Sequence, residues 1–294
     1  MHEESMGALN LKVSRPERVE HILSIIKEAN ELLQKEGDLS PANQRVVSII
    51  ARLTLELRSH FSPEDMQEVL SSNYIRLHQL GLRAKLSEAE FLAELSDSIR
   101  VCGSDQLSIT TLTGLSCWPA YMALVRDELL ALRRFAGGRE RTGKTPIVFV
   151  GSGPMPLSPI ILNLLGEESV VCLEIDNRAY EASQLLMMRL GMESKVKIVL
   201  CDGADFDYSP YEGMIIASLV PNKEAVLSCI RGTSPYALVG IRTAEGLRQI
   251  MYEALDESRI REQGWRILDR TSPDRRLVIN STLLLEPETT PEYM

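Results

Sequence analysis

Residues 145–162 constrain the fold of this chain more than any other stretch. The run Ile-Val-Phe-Val at 147–150 is short, continuous and apolar, which is typical of a strand buried on both faces of a parallel sheet. Gly151 and Gly153 follow at once, and glycine permits a tight turn in which a ligand can approach bare backbone. Ser158 and Pro159 then predict a helix N-cap and a first helical residue. Strand, glycine turn and helix together predict the first half of a nucleotide-binding βαβ unit.

The glycine turn departs from the dinucleotide-binding fingerprint. The third glycine of that fingerprint is absent, and Pro154 and Pro156 make the turn stiff and long. A longer turn leaves room for a bulkier group than a pyrophosphate at the end of the helix. The alternative is an ordinary connection between strand and helix that binds no ligand.

Composition excludes several classes of function. The 294 residues include 32 Lys and Arg against 41 Asp and Glu, a formal net charge of −9, so we expect no nucleic-acid partner. No apolar run approaches the roughly 18 residues of a membrane helix, and we expect no membrane partner. All four histidines fall in the first third, which excludes a Ser-His-Asp arrangement or a multi-histidine site in the second half, and no metal site is predicted.

The five cysteines contain no CxxC pair and fit a reducing compartment. Cys172 and Cys201 lie in apolar runs, and we expect both to be buried as small hydrophobic residues. The first residues lack the pattern of a signal peptide, so the sequence predicts a cytoplasmic protein.

Helical periodicity dominates the first half of the chain. Predicted helix starts lie at Ser40-Pro41, at Ser62-Pro63 and at the capping box formed by residues 87–90, and a long helix spans residues 118–135 up to Gly137-Gly138. Residues 139–144 are polar and glycine-flanked, as in a linker. We therefore predict an all-α domain at residues 1–140, serving as a substrate or lid domain, and a second domain at residues 141–294.

The second half alternates between strand-like and helical patterns. Five apolar runs rich in β-formers are separated by predicted helices: 147–150, 170–175, 196–200, 214–219 and 237–241. Two further runs, 265–269 and 277–285, are joined through Ser272-Pro273-Asp274 and predict a hairpin. Repeated βα units indicate a parallel sheet covered on both faces. With the terminal hairpin, the prediction is an α/β, class I methyltransferase-like (Rossmann-like) C-terminal domain.

Polar residues follow the predicted strands where a ligand of such a sheet binds. Glu174 ends the second strand and could accept both ribose hydroxyls, or it is a solvated loop acid. Asp202 ends the third strand and could contact adenine, or it is an ordinary turn residue. Nicotinamide cofactors and S-adenosylmethionine both present ribose and adenine. The missing third glycine and the terminal hairpin favour S-adenosylmethionine.

Four motifs, in order along the chain, carry a resemblance to a known family. Residues 149–157 read F-V-G-S-G-P-M-P-L, against F-V-G-S-G-P-L-P-L in plants, and residues 174–176 match a plant D-I-D. Residues 218–223 are similar to A-L-V-G-M-D-K, and residues 241–248 to L-R-S-A-H-G-x-R. Together with similar stretches at 87–94, 121–132 and 273–281, these motifs make roughly residues 85–285 resemble the nicotianamine synthase family, including its bacterial opine-metallophore branch of staphylopine and pseudopaline biosynthesis.

The resemblance implies transfer of a 3-amino-3-carboxypropyl group from S-adenosylmethionine, as co-substrate, to an α-amino group, with methylthioadenosine released. It implies catalytic roles for Glu94 and Tyr121, and Arg242 could grip a substrate carboxylate or form a structural ion pair. The predicted contacts to S-adenosylmethionine are Gly151, Ser152, Gly153, Pro154, Glu174, Asp176, Asp202, Gly203, Ala204, Ser218 and Leu219.

Glu94 is the predicted general base. It borders a helical apolar face formed by Phe91, Leu92, Leu95 and Ile99, so we expect its side chain to point into a cleft between the two halves. Glu90 is expected to point nearly opposite and to serve the capping box. The alternatives are a surface glutamate at 94 and, for Tyr121, a tyrosine in the core of the interface.

Differences from the plant motifs argue for a different acceptor. The plant histidine of A-H-G is Glu245 here, and the tyrosine-rich run is thinned to Trp118-Pro-Ala-Tyr121. We predict one transfer to a small-molecule amino acid, histidine, as in the bacterial branch. A synthase joining several S-adenosylmethionine molecules, a small-molecule methyltransferase and a non-catalytic member are the alternatives, and a homodimer is left open.

Overall fold

The structure is a computed structural model that describes residues 15–136, 145–166, 168–272 and 277–288. Its first part is helical, as the sequence predicts. The helices before the sheet are α1 Arg15–Lys35, α2 Gln44–Leu57, α3 Pro63–Ser71, α4 Asn73–Cys102, α5 Ile109–Thr113 and α6 Trp118–Ala136. The predicted linker at 139–144, the domain boundary at residue 140 and the turn at Pro273-Asp274 lie outside the described residues.

One predicted helix start is correct and another is displaced, and the residue that caps each helix explains the difference. α3 begins at Pro63, where predicted, and the Ser62 side chain accepts a hydrogen bond from the backbone of its first turn. α2 begins at Gln44 rather than at Ser40-Pro41. The Asn43 side chain accepts two backbone N–H groups there, so the cap lies three residues beyond the predicted position.

The capping box predicted at residues 87–90 is wrong. α4 runs unbroken through this segment for 30 residues, with Ser72 as its N-cap. Residues 73–102 contain no proline, so nothing interrupts the backbone hydrogen-bond ladder. The predicted apolar face also ends early, since Ile99 is 64% exposed. Glu90 is therefore an interior residue of a long helix, without a capping role.

The second part is a seven-stranded mixed sheet. Its strands are β1 Ile147–Val150, β2 Val170–Glu174, β3 Val196–Leu200, β4 Gly213–Ile216, β5 Leu238–Thr243, β6 Trp265–Arg270 and β7 Ser281–Pro287. The order is β3-β2-β1-β4-β5-β7-β6. The first five strands are parallel, and β7 runs antiparallel to β5 and β6. This arrangement confirms the predicted class I methyltransferase-like sheet with a terminal hairpin.

The connections between strands agree with the prediction except in one place. The helical connections are α7 Leu157–Gly166, α8 Asn177–Leu190, α9 Lys223–Thr233, a 3₁₀ helix Gly246–Ile250 and α10 Glu257–Glu262. Residues 201–212, between β3 and β4, form turns instead of the expected helix. The hydroxyl of fully buried Tyr208 donates to the Gly203 carbonyl at 2.7 Å, which closes this segment into a compact loop.

Two apolar clusters connect the helices and the sheet. One holds α6, through Val125 and Leu129, against the sheet residue Phe149 and its neighbours. The other gathers side chains of α1 to α4 and includes Leu247 and Ile250 of the 3₁₀ helix. A segment that follows β5 is thus buried among the helices, and it brings the residues after it beside α4. Within the described ranges, no helix combines the length and apolarity needed to span a membrane.

A buried ion pair fastens α6 to the sheet. Glu128 of α6 and Arg242 of β5 join through Nε–Oε1 at 2.9 Å and Nη2–Oε2 at 3.0 Å, and their side chains are 1% and 6% exposed. The hydroxyl of Thr282 on β7 also donates to Glu128, at 2.7 Å. Bidentate geometry and the extra donor compensate the cost of removing both charges from water.

We expect Glu128→Ala to lower the free energy of unfolding by about 3–5 kcal/mol, because it leaves the Arg242 guanidinium buried without its counter-charge. Urea unfolding of the two proteins measures this. Glu68→Ala is the matched control, since Glu68 pairs with Arg15 at a half-exposed site and should cost below about 1 kcal/mol. Equal losses in the two variants would contradict the assigned importance of the buried pair.

Candidate active site

A cavity of about 650 Å³ lies between α4 and the carboxyl ends of the parallel strands. Its walls are the glycine turn after β1, the ends of β2, β3 and β4, and one face of α4. Of the predicted site residues, all except Ala204 line this cavity. Ligands of open α/β sheets bind at this edge.

The glycine turn depends on the missing Cβ atoms of Gly151 and Gly153. Both residues have positive φ, 80° and 68°. A Cβ on Gly151 would lie 2.4 Å from a methyl group of Val220, and a Cβ on Gly153 would lie 2.8 Å from Oε2 of Glu94. Glycine at 153 therefore leaves the space into which the carboxylate of α4 reaches.

The helix after this turn begins two residues earlier than expected. α7 starts at Leu157, so the prediction of Ser158 as N-cap and Pro159 as first residue is wrong. Pro159 still lies in the first turn, where its missing N–H leaves no intrahelical bond unmade. The Ser158 hydroxyl instead accepts a hydrogen bond from Arg242 at 2.9 Å.

Glu174 connects the end of β2 to the glycine turn. Its carboxylate accepts backbone N–H groups of Gly153 at 2.8 Å, Ile175 at 2.9 Å and Asp176 at 3.0 Å. The side chain is buried, which excludes the alternative of a solvated loop acid. Glu174 therefore holds the turn in place and presents its carboxylate to the cavity wall; the predicted contact to ribose stays a prediction.

Asp176 and Asp202 both support local backbone. Asp176 is the N-cap of α8, and Asp202 accepts the backbone N–H of Ala204 at 2.8 Å. Both also line the cavity, together with Gly203. Cys201, expected to be buried, is only partly so and lies in the cavity wall, whereas Cys172 is fully buried in the core as predicted.

Residues 218–223 follow β4 and lie beside the glycine turn, where Val220 is the nearest neighbour of Gly151. Ser218 and Leu219 line the cavity, as predicted. The buried ammonium of Lys223 donates to the Ser218 carbonyl at 2.7 Å, and Asn280 donates to the Ser218 hydroxyl at 2.6 Å. Asn280 was not predicted, because it lies in a run that reads as strand and turns into the cavity just before β7.

Glu94 and Tyr121 meet inside the cavity. The Tyr121 hydroxyl, on α6, donates to Glu94 Oε1 at 2.8 Å, while Oε2 faces Gly153. The expectation that Glu94 points into a cleft, rather than onto the surface, is confirmed by this geometry. Burial, with neighbouring carboxylates, raises the pKa of Tyr121 well above its ordinary value, so its hydroxyl remains a donor.

A second pair, missed by the sequence reasoning, lies one turn away on α4. The Tyr252 hydroxyl donates to Glu90 Oε2 at 2.8 Å, and both residues line the cavity. The expectation that Glu90 points nearly opposite Glu94 is wrong. Residues four apart on a helix share one face, since four steps of 100° leave them only about 40° apart. The four-residue spacing of Glu90 and Glu94 was therefore the sequence signal that both side chains share one face of the helix.

Burial governs the charge of both glutamates. Burial, together with the charges of nearby Glu90 and Glu174, raises the pKa of Glu94 to about 8, against the opposing effects of the Tyr121 hydrogen bond and Arg242. Burial also raises the pKa of Glu90, against the Tyr252 hydrogen bond and Arg242. A carboxylate with a pKa near the ambient pH is suited to exchange protons with a bound amine.

Arg242 lines the cavity but is already paired. Its Nε and Nη2 bind Glu128, and Nη2 also binds Ser158. These contacts favour the ion-pair alternative over a bidentate grip on a substrate carboxylate.

We expect Glu94→Gln to raise the melting temperature of the ligand-free protein in a pH-dependent way. The pKa of Glu94 is raised from 4.5 to about 8, so its stabilising contribution is complete below pH 4.5 and is lost as the pH rises through 8. Glutamine cannot ionise. The difference in melting temperature, variant minus wild type, should therefore grow between pH 4.5 and 8 and then level off. A flat profile for Glu94→Gln would refute the raised pKa.

We expect Gly153→Ala to destabilise the protein more than Gly191→Ala. Both glycines have positive φ, and alanine there costs about 1–2 kcal/mol, but Gly191 has open space around its Cβ position. At 153 the new methyl group must displace Glu94 from Tyr121, adding about 1 kcal/mol for the lost hydrogen bond. Adding Glu94→Ala to Gly153→Ala should remove this extra loss in a double-mutant cycle; equal losses at 153 and 191 would rule out the contact.

Known proteins resemble the chain over part or all of its length. Nicotianamine synthase 9 of Hordeum vulgare is 29% identical over 148 residues, 47% of this chain and 43% of that protein. L-histidine 2-aminobutanoyltransferase of Pseudomonas aeruginosa is 29% identical over 143 residues, 48% of this chain and 52% of that protein. The chain thus spans about half the length of the curated relatives it matches.

Solved structures share the whole fold. The crystal structure of MtNAS in complex with MTA and tNA has a TM-score of 0.75 at 23% identity, covering 92% of this chain and 97% of that one. A glutamate-to-glutamine variant of MtNAS in complex with S-adenosylmethionine has a TM-score of 0.71 at 22% identity, covering 91% and 98%. The family described as nicotianamine synthase protein matches residues 15–291, which confirms the resemblance seen in the motifs: this chain belongs to the nicotianamine synthase family.

Proposed function

We propose that this protein transfers a 3-amino-3-carboxypropyl group from S-adenosylmethionine to the α-amino group of an amino acid and releases methylthioadenosine. One observation carries the proposal: the partly buried Glu94–Tyr121 pair lies against the glycine turn, inside one cavity. The Glu94 carboxylate, as the base, therefore lies directly beside the glycine turn, which is expected to hold S-adenosylmethionine. Membership of the nicotianamine synthase family supports this reaction class.

The charge of the cavity fits a cationic donor. Among the described residues, its wall holds seven carboxylates and three arginines. Two of the arginines are committed to carboxylates, Arg242 to Glu128 and Arg178 to Asp176. S-adenosylmethionine carries a sulfonium and an ammonium, which such a wall stabilises. A ligand whose charge were wholly negative would be repelled.

The predicted contacts form a path from the glycine turn to the adenine end. Gly151 to Pro154 would bear on the sulfonium side, and Glu174 would accept ribose hydroxyls at the end of β2. Asp202 and Gly203 lie at the end of β3, where adenine is expected, and Ser218 and Leu219 follow β4 beside the glycine turn. Asp176 acts through its cap on α8. Ala204 does not line the cavity. Its backbone N–H binds the Asp202 side chain and so holds the turn that carries Asp202.

Glu94 acts on the attacking amine. Bound S-adenosylmethionine supplies an electrophilic γ-carbon whose bond to sulfur breaks with both electrons remaining on the neutral thioether. The Glu94 carboxylate takes a proton from the acceptor's ammonium and frees the lone pair that forms the new carbon–nitrogen bond. Tyr121 holds that carboxylate in one orientation through its hydroxyl. The surrounding walls fix the reactants and limit water, which adds the larger share of the rate.

Histidine is the proposed acceptor, and opine-type metallophore biosynthesis the proposed context. The relative from Pseudomonas aeruginosa is named for aminobutanoyl transfer to L-histidine, which supports histidine as the acceptor. The departures of residues 118–121 and 245 from the plant motifs point in the same direction.

We expect the full chain, incubated with S-adenosylmethionine and L-histidine, to yield methylthioadenosine and histidine bearing one aminobutyrate unit on nitrogen. Glu94→Gln should lower kcat by about 10²–10⁴-fold, the range of general-base catalysis, while calorimetry shows S-adenosylmethionine still bound. Mass spectrometry of the products and steady-state kinetics make these measurements, with Glu28→Gln as the control.

The products also discriminate between the alternatives. S-adenosylhomocysteine in place of methylthioadenosine would identify a methyltransferase and overturn the proposal. Products with several aminobutyrate units and no histidine would identify a nicotianamine-type condensation. Full turnover by Glu94→Gln would place the base elsewhere.

A further inference from the structure

The cavity contains two matched carboxylate–tyrosine pairs rather than one. Glu90 and Glu94 lie one turn apart on α4, and each accepts a tyrosine hydroxyl at 2.8 Å. Both glutamates and both tyrosines line the cavity. The proposed reaction uses only the Glu94–Tyr121 pair as its base, so the Glu90–Tyr252 pair requires its own explanation.

The two tyrosines are positioned independently. Tyr121 lies on α6, which packs against the sheet. Tyr252 follows the 3₁₀ helix and packs among α1 to α4, beside Met251. Two separate parts of the fold thus each bring a phenol to the same face of α4. Each tyrosine therefore fixes the position of its partner carboxylate along the α4 side of the cavity.

Glu90 has no cation of its own among the described contacts. Its described hydrogen bond comes from Tyr252, which is uncharged. Arg242, the cation that acts on it electrostatically, is held by Glu128. Arg58, at the cavity wall, donates to the Leu277 carbonyl at 3.4 Å. An ionised carboxylate in such a site is costly unless a positive charge arrives with the ligand.

The proposed reactants bring more than one positive nitrogen. The attacking amine is the first, and it must lose its proton at Glu94. The α-ammonium of the transferred arm is the second, and a protonated acceptor side chain is another. We propose that Glu90, oriented by Tyr252, binds this second protonated nitrogen while Glu94 serves the attacking amine. The inference rests on the proposed function and makes Glu90 a residue that determines substrate affinity.

The cation at Glu90 has two sources, and kinetics with two acceptors separates them. If Glu90 holds the ammonium of the transferred arm, Glu90→Gln raises KM for S-adenosylmethionine with any acceptor. If it holds the acceptor side chain, Glu90→Gln raises KM for histidine, leaves KM for S-adenosylmethionine unchanged and removes the preference for histidine over alanine. The expected rise is about 10–100-fold, the scale of one charge-assisted hydrogen bond.

The split between KM and kcat distinguishes Glu90 from the base. Glu90→Gln should change kcat far less than Glu94→Gln does. Tyr252→Phe should raise the same KM as Glu90→Gln, by a smaller factor, because the carboxylate remains but loses its orientation. Matched controls are Glu28→Gln and Tyr74→Phe, whose hydroxyl accepts from Asn30 on α1. Both controls should keep wild-type KM values.

Four outcomes overturn parts of this account. Wild-type KM values for both substrates in Glu90→Gln would refute the second cation subsite, as would a loss confined to kcat. Absence of methylthioadenosine from the wild-type reaction would instead overturn the proposed function. Calorimetric titration with S-adenosylmethionine and with histidine then tests Glu90 alone, and unchanged Kd values for both in Glu90→Gln would refute its role.

Discussion

The buried ion pair between Arg242 and Glu128 is the contact on which the geometry of the cavity depends. Glu128 is tied to β5 by Arg242 and to β7 by Thr282, so α6 cannot slide along the sheet without breaking buried charge-assisted bonds. Tyr121 lies seven residues earlier on α6, two turns or about 10 Å away on the same face. The pair that fastens the helix to the sheet therefore also sets where the phenol meets Glu94. Stability and site geometry rest here on the same contact.

The sheet was largely predictable because buried parallel strands leave a simple pattern. β1 has the predicted bounds, since it is a short apolar run ended by glycine. β3 also has the predicted bounds, although Lys197 interrupts its apolar pattern at the edge of the sheet. β7 begins at Ser281 rather than at residue 277. The apolar residues 277–279 line the cavity instead of pairing in the sheet, and hydropathy alone cannot separate these two uses. The connection at 201–212 was also mispredicted. There the segment is compact because one tyrosine side chain is buried beneath its turns, without a helix.

Site residues could be predicted from the sequence only where short motifs or the spacing of nearby residues reveal them. Glu94 and the glycine turn follow from motifs of a few residues, and Glu90 was within reach because four-residue spacing places it on the same face of α4. It was missed when a capping motif was assigned to a helix interior. The partnership of Glu128 with Arg242 spans 114 positions, and no local pattern in the sequence encodes it. Roles in binding are harder still to predict from the sequence, because they depend on charged groups that come together only in the folded protein.

The 3₁₀ segment that follows β5 limits how this protein could be divided or recombined. Leu247 and Ile250 complete the apolar cluster of the helices, and Tyr252 supplies one wall of the cavity, yet all three come from the second half of the sequence. A chimaera that exchanged only residues 15–102 between family members would separate Glu90 from the Tyr252 hydroxyl that binds it in this chain. On the proposed role of Glu90, acceptor preference is expected to be inherited as a discontinuous unit, one helix together with a short loop whose Tyr252 lies 162 positions after Glu90.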